Sequence, residues 1–154
     1  MAGCQLDQTL RLNIGEVAMQ TTALKSPLAR AAPVPCCLIV EDQALIGMAL
    51  EAYLEEFGYQ VAGPLTSNAS ALAWLESNTP DLAILDYVLS DGSCLELVRE
   101  LRRRRVPFLI YSGHSRKAET PEEFQNVPWL EKPAARAQLL QEIESMPIRV
   151  PFRL

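Results

Sequence analysis

A single histidine, His114, stands in 154 residues, and the four cysteines, Cys4, Cys36, Cys37 and Cys94, have no pair spaced as in a zinc site. A Cys/His metal cluster is therefore not expected. Adjacent Cys36 and Cys37 would face opposite sides of a strand and read as reduced core thiols. No apolar run approaches the roughly 18 residues of a membrane span, and the start lacks the apolar stretch of a secretory signal, so a cytoplasmic location without a membrane partner is expected. Positive charge is also scarce: 14 Lys and Arg against 19 Asp and Glu give a formal net charge of −5. That balance offers no electrostatic case for nucleic acid as the main partner. The local exception, Arg102 to Arg105, closes a predicted helix and reads as a solvated end that complements the helix dipole.

What is present points to one folded unit. The hydrophobic fraction of 49% and charged fraction of 21% are those of a globular chain, and the length suits one domain with its own core. Residues 1–35 differ from the rest: they are rich in Ala, Thr and Gln and end in Ala31-Ala-Pro-Val-Pro35, a stiff connector. They are read as an N-terminal extension, flexible or docked, with an optional short helix through Leu6, Leu10, Ile14 and Val17 that Gly15 weakens.

From Cys36 a regular alternation begins. Cys37 to Val40 is an apolar strand, followed by an amphipathic helix with Ile46, Leu50, Tyr53 and Phe57 on one face before Gly58. Tyr59 to Ala62 reads as a second strand and Ser67 to Asn78 as a helix with a serine start, burying Leu72 and Leu75. Leu82 to Leu85 is a third strand. After a Ser90-Asp-Gly92 turn come a helix from Leu95 to Arg104 and a fourth strand, Pro107 to Tyr111. Val127 to Leu130 is a short fifth strand, and Ala134 to Met146 a last helix carrying Leu139, Leu140 and Ile143 inward. Strands alternating with helices through short connections predict an α/β fold with a doubly wound five-stranded parallel sheet covered on both faces.

In such sheets ligands gather at the carboxyl ends of the strands. The residues placed there are Glu41 and Asp42 after the first strand, Asp86 after the third, Ser112 after the fourth and Lys132 after the fifth. Three carboxylates so close would repel one another, and Lys132 alone supplies too little positive charge. A divalent cation completes the balance, and with oxygen ligands only, Mg2+ fits.

In order and context, the Glu41-Asp42 pair, Asp86 ending an apolar strand, Ser112-Gly113 and Glu131-Lys132-Pro133 resemble the response-regulator receiver family over about Cys36 to Met146. The resemblance implies a flavodoxin-like receiver fold over 36–146, with 147–154 as a tail, and a phosphoacceptor function in a two-component or phosphorelay system. It implies Asp86 as phosphoacceptor, and Mg2+ bound by Asp42, Asp86 and the Val88 backbone carbonyl, with Glu41 acting through water. Lys132 would pair with one phosphoryl oxygen and Ser112 would hydrogen-bond another. Ser112 and Trp129, three residues before the lysine, would form the switch. A sensor histidine kinase or a histidine phosphotransfer protein is the implied donor. The output would be a protein contact or onward phosphotransfer, because 147–154 is too short for a further domain. The chain would catalyse only its own phosphorylation and dephosphorylation.

This sequence departs from the family's pattern in two places. Ser93-Cys94 stand where a glycine is usual after the Asp91-Gly92 region. In Gly113 to Asn126 the usual amphipathic fourth helix gives way to a polar stretch. There Thr120-Pro-Glu-Glu123 resembles a capping box with proline at the first helical position, so a shortened late helix is expected. Taken singly, Asp86 also suits a strand-end cap, Lys132 a solvated charge, and Tyr87 either packing or a gate. Two other functions compete with this reading. A receiver-like interaction module that is not phosphorylated in the cell would need a damaged site. A haloacid dehalogenase-type phosphatase needs an Asp two residues after its nucleophile, where this chain has Val88, which cannot carry protons.

Overall fold

The computed structural model describes residues 33–148. The expected optional helix of the extension and the end of the tail lie outside the described residues. The sheet strands are β1 (Cys36–Val40), β2 (Gln60–Leu65), β3 (Leu82–Leu85), β6 (Phe108–Ser112) and β7 (Trp129–Glu131). They run parallel in the order β2-β1-β3-β6-β7. Four helices connect or follow them: α1 (Ala44–Glu56), α2 (Asn68–Leu75), α3 (Leu95–Arg103) and α4 (Arg136–Ser145). This is the five-stranded parallel sheet with covering helices that the alternation predicts.

Strand alternation sorts the core into two halves. Leu38, Val40, Ala83, Leu85 and Ile110 pack with α2 and α3 through Ala71, Leu75, Leu97, Val98 and Leu101. Cys37, Ile39, Leu82, Ile84 and Leu109 pack with α1 and α4 through Leu50, Leu54, Leu139 and Ile143. Because both faces of β1 and β3 are covered, every residue of Leu82–Leu85 is buried, and the run is continuously apolar instead of alternating.

The structure departs from several local expectations. The buried positions of α1 are Gly47, Leu50 and Leu54, with Ile46 only partly buried and Tyr53 exposed. The face turns because Gly47 lets the helix lie against Pro64, where an added Cβ would come within 2.8 Å of the proline ring. Tyr53 and Phe57 instead hold the Arg136 guanidinium, 4.9 Å and 4.6 Å from their ring centroids. The second strand extends to Leu65 through a glycine at φ +101. The Ser90-Asp-Gly92 turn closes a small antiparallel hairpin, β4 (Val88–Leu89) with β5 (Gly92–Ser93), which the short polar sequence did not reveal.

No α-helix forms between β6 and β7. The segment makes one 3-10 turn, Glu122–Phe124, whose preceding residue, Pro121, has no side-chain cap. The Thr120 capping box is therefore not formed; the Thr120 hydroxyl accepts from the Lys117 N–H at 3.0 Å. Phe124, the one large apolar residue between Gly113 and Asn126, is fully buried, and its burial closes the gap a helix would otherwise cover.

Candidate functional site

Each carboxyl end of β1, β3, β6 and β7 delivers a polar residue to one crevice. Glu41 and Asp42 follow β1, Asp86 follows β3, Ser112 ends β6, and Lys132 follows β7. Backbone hydrogen bonds fix three of these ends: Glu41 N–H to the Leu65 carbonyl at 2.8 Å, Asp86 N–H to Val40 at 2.9 Å, and Lys132 N–H to Ser112 at 2.8 Å. The crevice floor is thus rigid backbone, and the side chains start from defined positions.

Lys132 ties the carboxylates together. Its Nζ lies 2.8 Å from Asp86 Oδ2 and 2.5 Å from Glu41 Oε2. All three side chains are nearly inaccessible, so both ion pairs are stronger than surface ones, although each charge lost hydration to form them. Burial pushes the Glu41 acid above the usual carboxylate range, against the opposing pull of Lys132 and the Gln43 N–H. Burial also acts to lower the Lys132 ammonium, yet bonding to Asp86 and Glu41 outweighs it and leaves the lysine raised and charged.

One lysine against three acids leaves the site negative. Glu41, Asp42 and Asp86 each offer an oxygen, and those oxygens lie within 4.8 Å of one another. Asp42 is the half-buried member at the mouth. An all-oxygen set of net charge −2 suits a hard divalent cation such as Mg2+ and not a soft or imidazole-preferring metal. Val88 begins β4, and hairpin geometry bears on its carbonyl. The Cys94 N–H donates to the Tyr87 carbonyl at 3.0 Å, so Tyr87 and Cys94 form a hydrogen-bonded pair. The next pair, Val88 with Ser93, then falls at the non-bonded position of the antiparallel ladder. The Val88 carbonyl is left outside the ladder.

Ser112 is fully buried and its Oγ accepts from the His114 N–H at 3.1 Å. Trp129 sits half-buried at the start of β7, and its Nε1–H donates to the His114 carbonyl at 2.9 Å. The sequence did not reveal its surroundings: Tyr87 and Phe124 lie 5.1 Å and 6.1 Å from the indole, centroid to centroid, and 5.1 Å from each other. Arg116 stacks over the indole at 5.3 Å and bonds the Val127 carbonyl. Tyr87 therefore packs in an aromatic cluster beside the site. The lone Phe in a polar segment was the available signal.

A parallel five-stranded sheet with an acidic triad and a lysine at its carboxyl edge is the architecture of a receiver. Residues 37–144 match the response regulator receiver domain family, to which the chain belongs. Among curated proteins it is similar to the transcriptional regulatory protein PdtaR of Mycobacterium tuberculosis, with 29% identity over 110 residues, 70% of this chain and 54% of that protein. The chain thus spans about half the length of the curated relatives it matches. Among solved structures it is similar to a CheY-like receiver domain from Methylobacillus flagellatus, at 28% identity and TM-score 0.63, covering 73% of this chain and 98% of the other. A receiver domain of a sensor histidine kinase from Pseudomonas aeruginosa PAO1 shares the fold at 24% identity and TM-score 0.63 over 73% of this chain and 96% of its own, and is described with magnesium coordinated in its active-site cleft. Among the described residues no helix is long and apolar enough to cross a membrane.

Proposed function

We propose that this chain accepts a phosphoryl group on Asp86 from a phosphohistidine donor, a sensor histidine kinase or histidine phosphotransfer protein, in the cytoplasm, and signals through the surface that changes in response. The observation that carries this reading is the Asp86 carboxylate, held at 2.8 Å by Lys132 beside two further acids at the end of a buried strand.

An Asp86 oxygen attacks phosphorus in line as the P–N bond to the donor imidazole breaks, and the departing nitrogen keeps that electron pair. Asp42, Asp86 and the Val88 carbonyl are the residues that would hold Mg2+, with Glu41 acting through water. Bound there, the ion supplies Lewis-acid neutralisation of the phosphoryl oxygens. Lys132, already bonded to Asp86, stays within reach of the phosphoryl oxygens formed on it and stabilises their charge. The Ser112 hydroxyl donates to another of those oxygens. Val88, two residues after Asp86, offers no acid or base, which favours a lasting phosphoaspartate over turnover on external phosphoesters.

Incubation with Mg2+ and acetyl phosphate, followed by intact mass, tests the reading. One phosphoryl is expected on the wild-type chain and none on Asp86→Ala; equal gain in both contradicts it.

A further inference from the structure

The hairpin that follows Asp86 is held by a clasp that lies outside the acidic crevice. Val88, Ser90, Asp91, Gly92 and Ser93 are all exposed, and a two-stranded hairpin is marginal by itself. Its anchor is Asn68, the first residue of α2, which is 9% exposed. The two hydrogens of Asn68 Nδ2 are shared among three acceptors, Asp91 Oδ1 at 3.1 Å, the Gly92 carbonyl at 3.2 Å and the Ser93 carbonyl at 3.1 Å. Asp91 answers in the other direction. Its carboxylate accepts from the backbone N–H groups of Asn68 and Ala69 at 2.9 Å and 3.0 Å, capping α2 from a distant part of the chain.

The cost of this arrangement is visible. Asn68 Oδ1 is buried without a partner. Reversing the amide would set that oxygen against three acceptors, so the orientation is fixed by the Nδ2 contacts. A residue kept with half of its amide unsatisfied calls for a role that an apolar side chain could not fill. That role is legible in the register. Ser93 is the partner of Val88, and at a non-bonded ladder position both carbonyls point away from the opposite strand. The Ser93–Cys94 peptide is thus held at both ends, its N–H by the Tyr87 carbonyl across the ladder at 3.0 Å and its outward carbonyl by Asn68 Nδ2.

We propose that Asn68 is a positioning residue which, through Asp91 and the Ser93 carbonyl, fixes the Val88 carbonyl and thereby sets how tightly the acidic site holds Mg2+. The proposal rests on the reading of the site given above. It makes α2, which supplies no side chain to the acidic crevice, a determinant of cation affinity.

The test is calorimetric titration of the folded chain with MgCl2, paired with hydrogen exchange of the hairpin amides in Mg2+-free buffer. Loss of a group that orients a metal ligand weakens binding by about tenfold or more, and that is expected for Asn68→Ala, together with faster exchange from Leu89 to Ser93. Ser67→Ala is the control. It removes the hydroxyl that accepts from the Ser70 N–H at 3.1 Å and caps the same helix, so it is expected to lower thermal stability and leave both readouts unchanged. Wild-type affinity in Asn68→Ala, or an equal loss in Ser67→Ala, overturns the proposal. Should Asn68→Ala not fold, Asp91→Asn decides: it keeps an acceptor for Asn68 but turns an amide toward the Ala69 N–H, and unchanged affinity overturns the clasp's role. A wild-type chain that takes up no Mg2+ removes the reading of the site itself, an outcome distinct from a wild-type chain that binds and a variant that binds equally.

Discussion

The Trp129 indole N–H donates to the His114 carbonyl at 2.9 Å, and the same residue's N–H donates to the Ser112 hydroxyl at 3.1 Å. One backbone unit therefore joins the buried hydroxyl at the site to an aromatic ring in the cluster with Tyr87 and Phe124. If Ser112 turns to a phosphoryl oxygen, its bond to His114 is disturbed and the constraint on Trp129 changes.

In a Trp74→Phe background, Mg2+ with beryllofluoride is expected to shift Trp129 emission, and Ser112→Ala to diminish the shift. An unaltered response in Ser112→Ala would disconnect the hydroxyl from the ring.

Lys132→Ala is expected to leave Mg2+ binding intact while abolishing that emission response. Without Mg2+ it should also lower stability by about 3 kcal/mol, because Glu41 and Asp86 remain buried without their cation. Denaturant melts with and without Mg2+ check this: the deficit should shrink when the ion is added.

Asp42→Asn acts in the opposite sense. It removes one of three negative charges whose oxygens lie within 4.8 Å, and relief of that repulsion is expected to raise Mg2+-free stability by about 1 kcal/mol. Mg2+ affinity should fall together with the gain, the trade expected where a site is kept charged for function. Lower Mg2+-free stability in Asp42→Asn would contradict the repulsion.

The fold and the acidic crevice were legible for a physical reason. Leu82-Ala-Ile-Leu85 has to be continuously apolar to lie between two helical layers, and the first polar residue after it has to sit at the sheet's edge, where ligands bind. Strands β1, β3, β6 and β7 deliver their site residues at that point, while β2 runs on through Gly63 and Pro64 to Leu65. What escaped depends on contacts far apart in sequence. The partner of Asn68 is 23 residues on, and neither residue has a distinctive neighbourhood. The burial of Phe124 follows from the missing helix, and the α1 face turns on the proximity of Gly47 to Pro64, which no periodicity within the helix encodes.

Phe124 is the apolar anchor of the segment between β6 and β7, aided by Arg99 and Arg102, which bond the Glu123 carboxylate at 2.7 Å and its carbonyl at 2.8 Å. Phe124→Ala is expected to cost about 3 kcal/mol or more and to release Trp129 from one of its ring contacts. Amide exchange should quicken from Glu122 to Val127 well before β3 is affected. Uniform quickening across the sheet would show instead that the segment belongs to the global unit.

Asp91 gives the fold a pH dependence with a defined sign. The N–H groups of Asn68 and Ala69 hold its acid below the ordinary carboxylate range. A folded-state value depressed below the unfolded one, about 3.9 for Asp, means that the stabilisation is complete above the unfolded value. It is lost as pH falls toward and through the folded value. The thermal midpoint of the wild-type chain should therefore exceed that of Asp91→Asn by a constant margin near neutrality, and the margin should narrow once the pH drops below about 4. Glu100, held down to about 2 by Arg103 and Arg104, loses its own contribution in an overlapping window. Its partners lie on and just beyond α3, so it is unchanged in Asp91→Asn and cancels in the difference. A margin that persists through that acid range would mean that Asp91 stabilises the clasp as a hydrogen-bond acceptor of either charge state, not as a carboxylate.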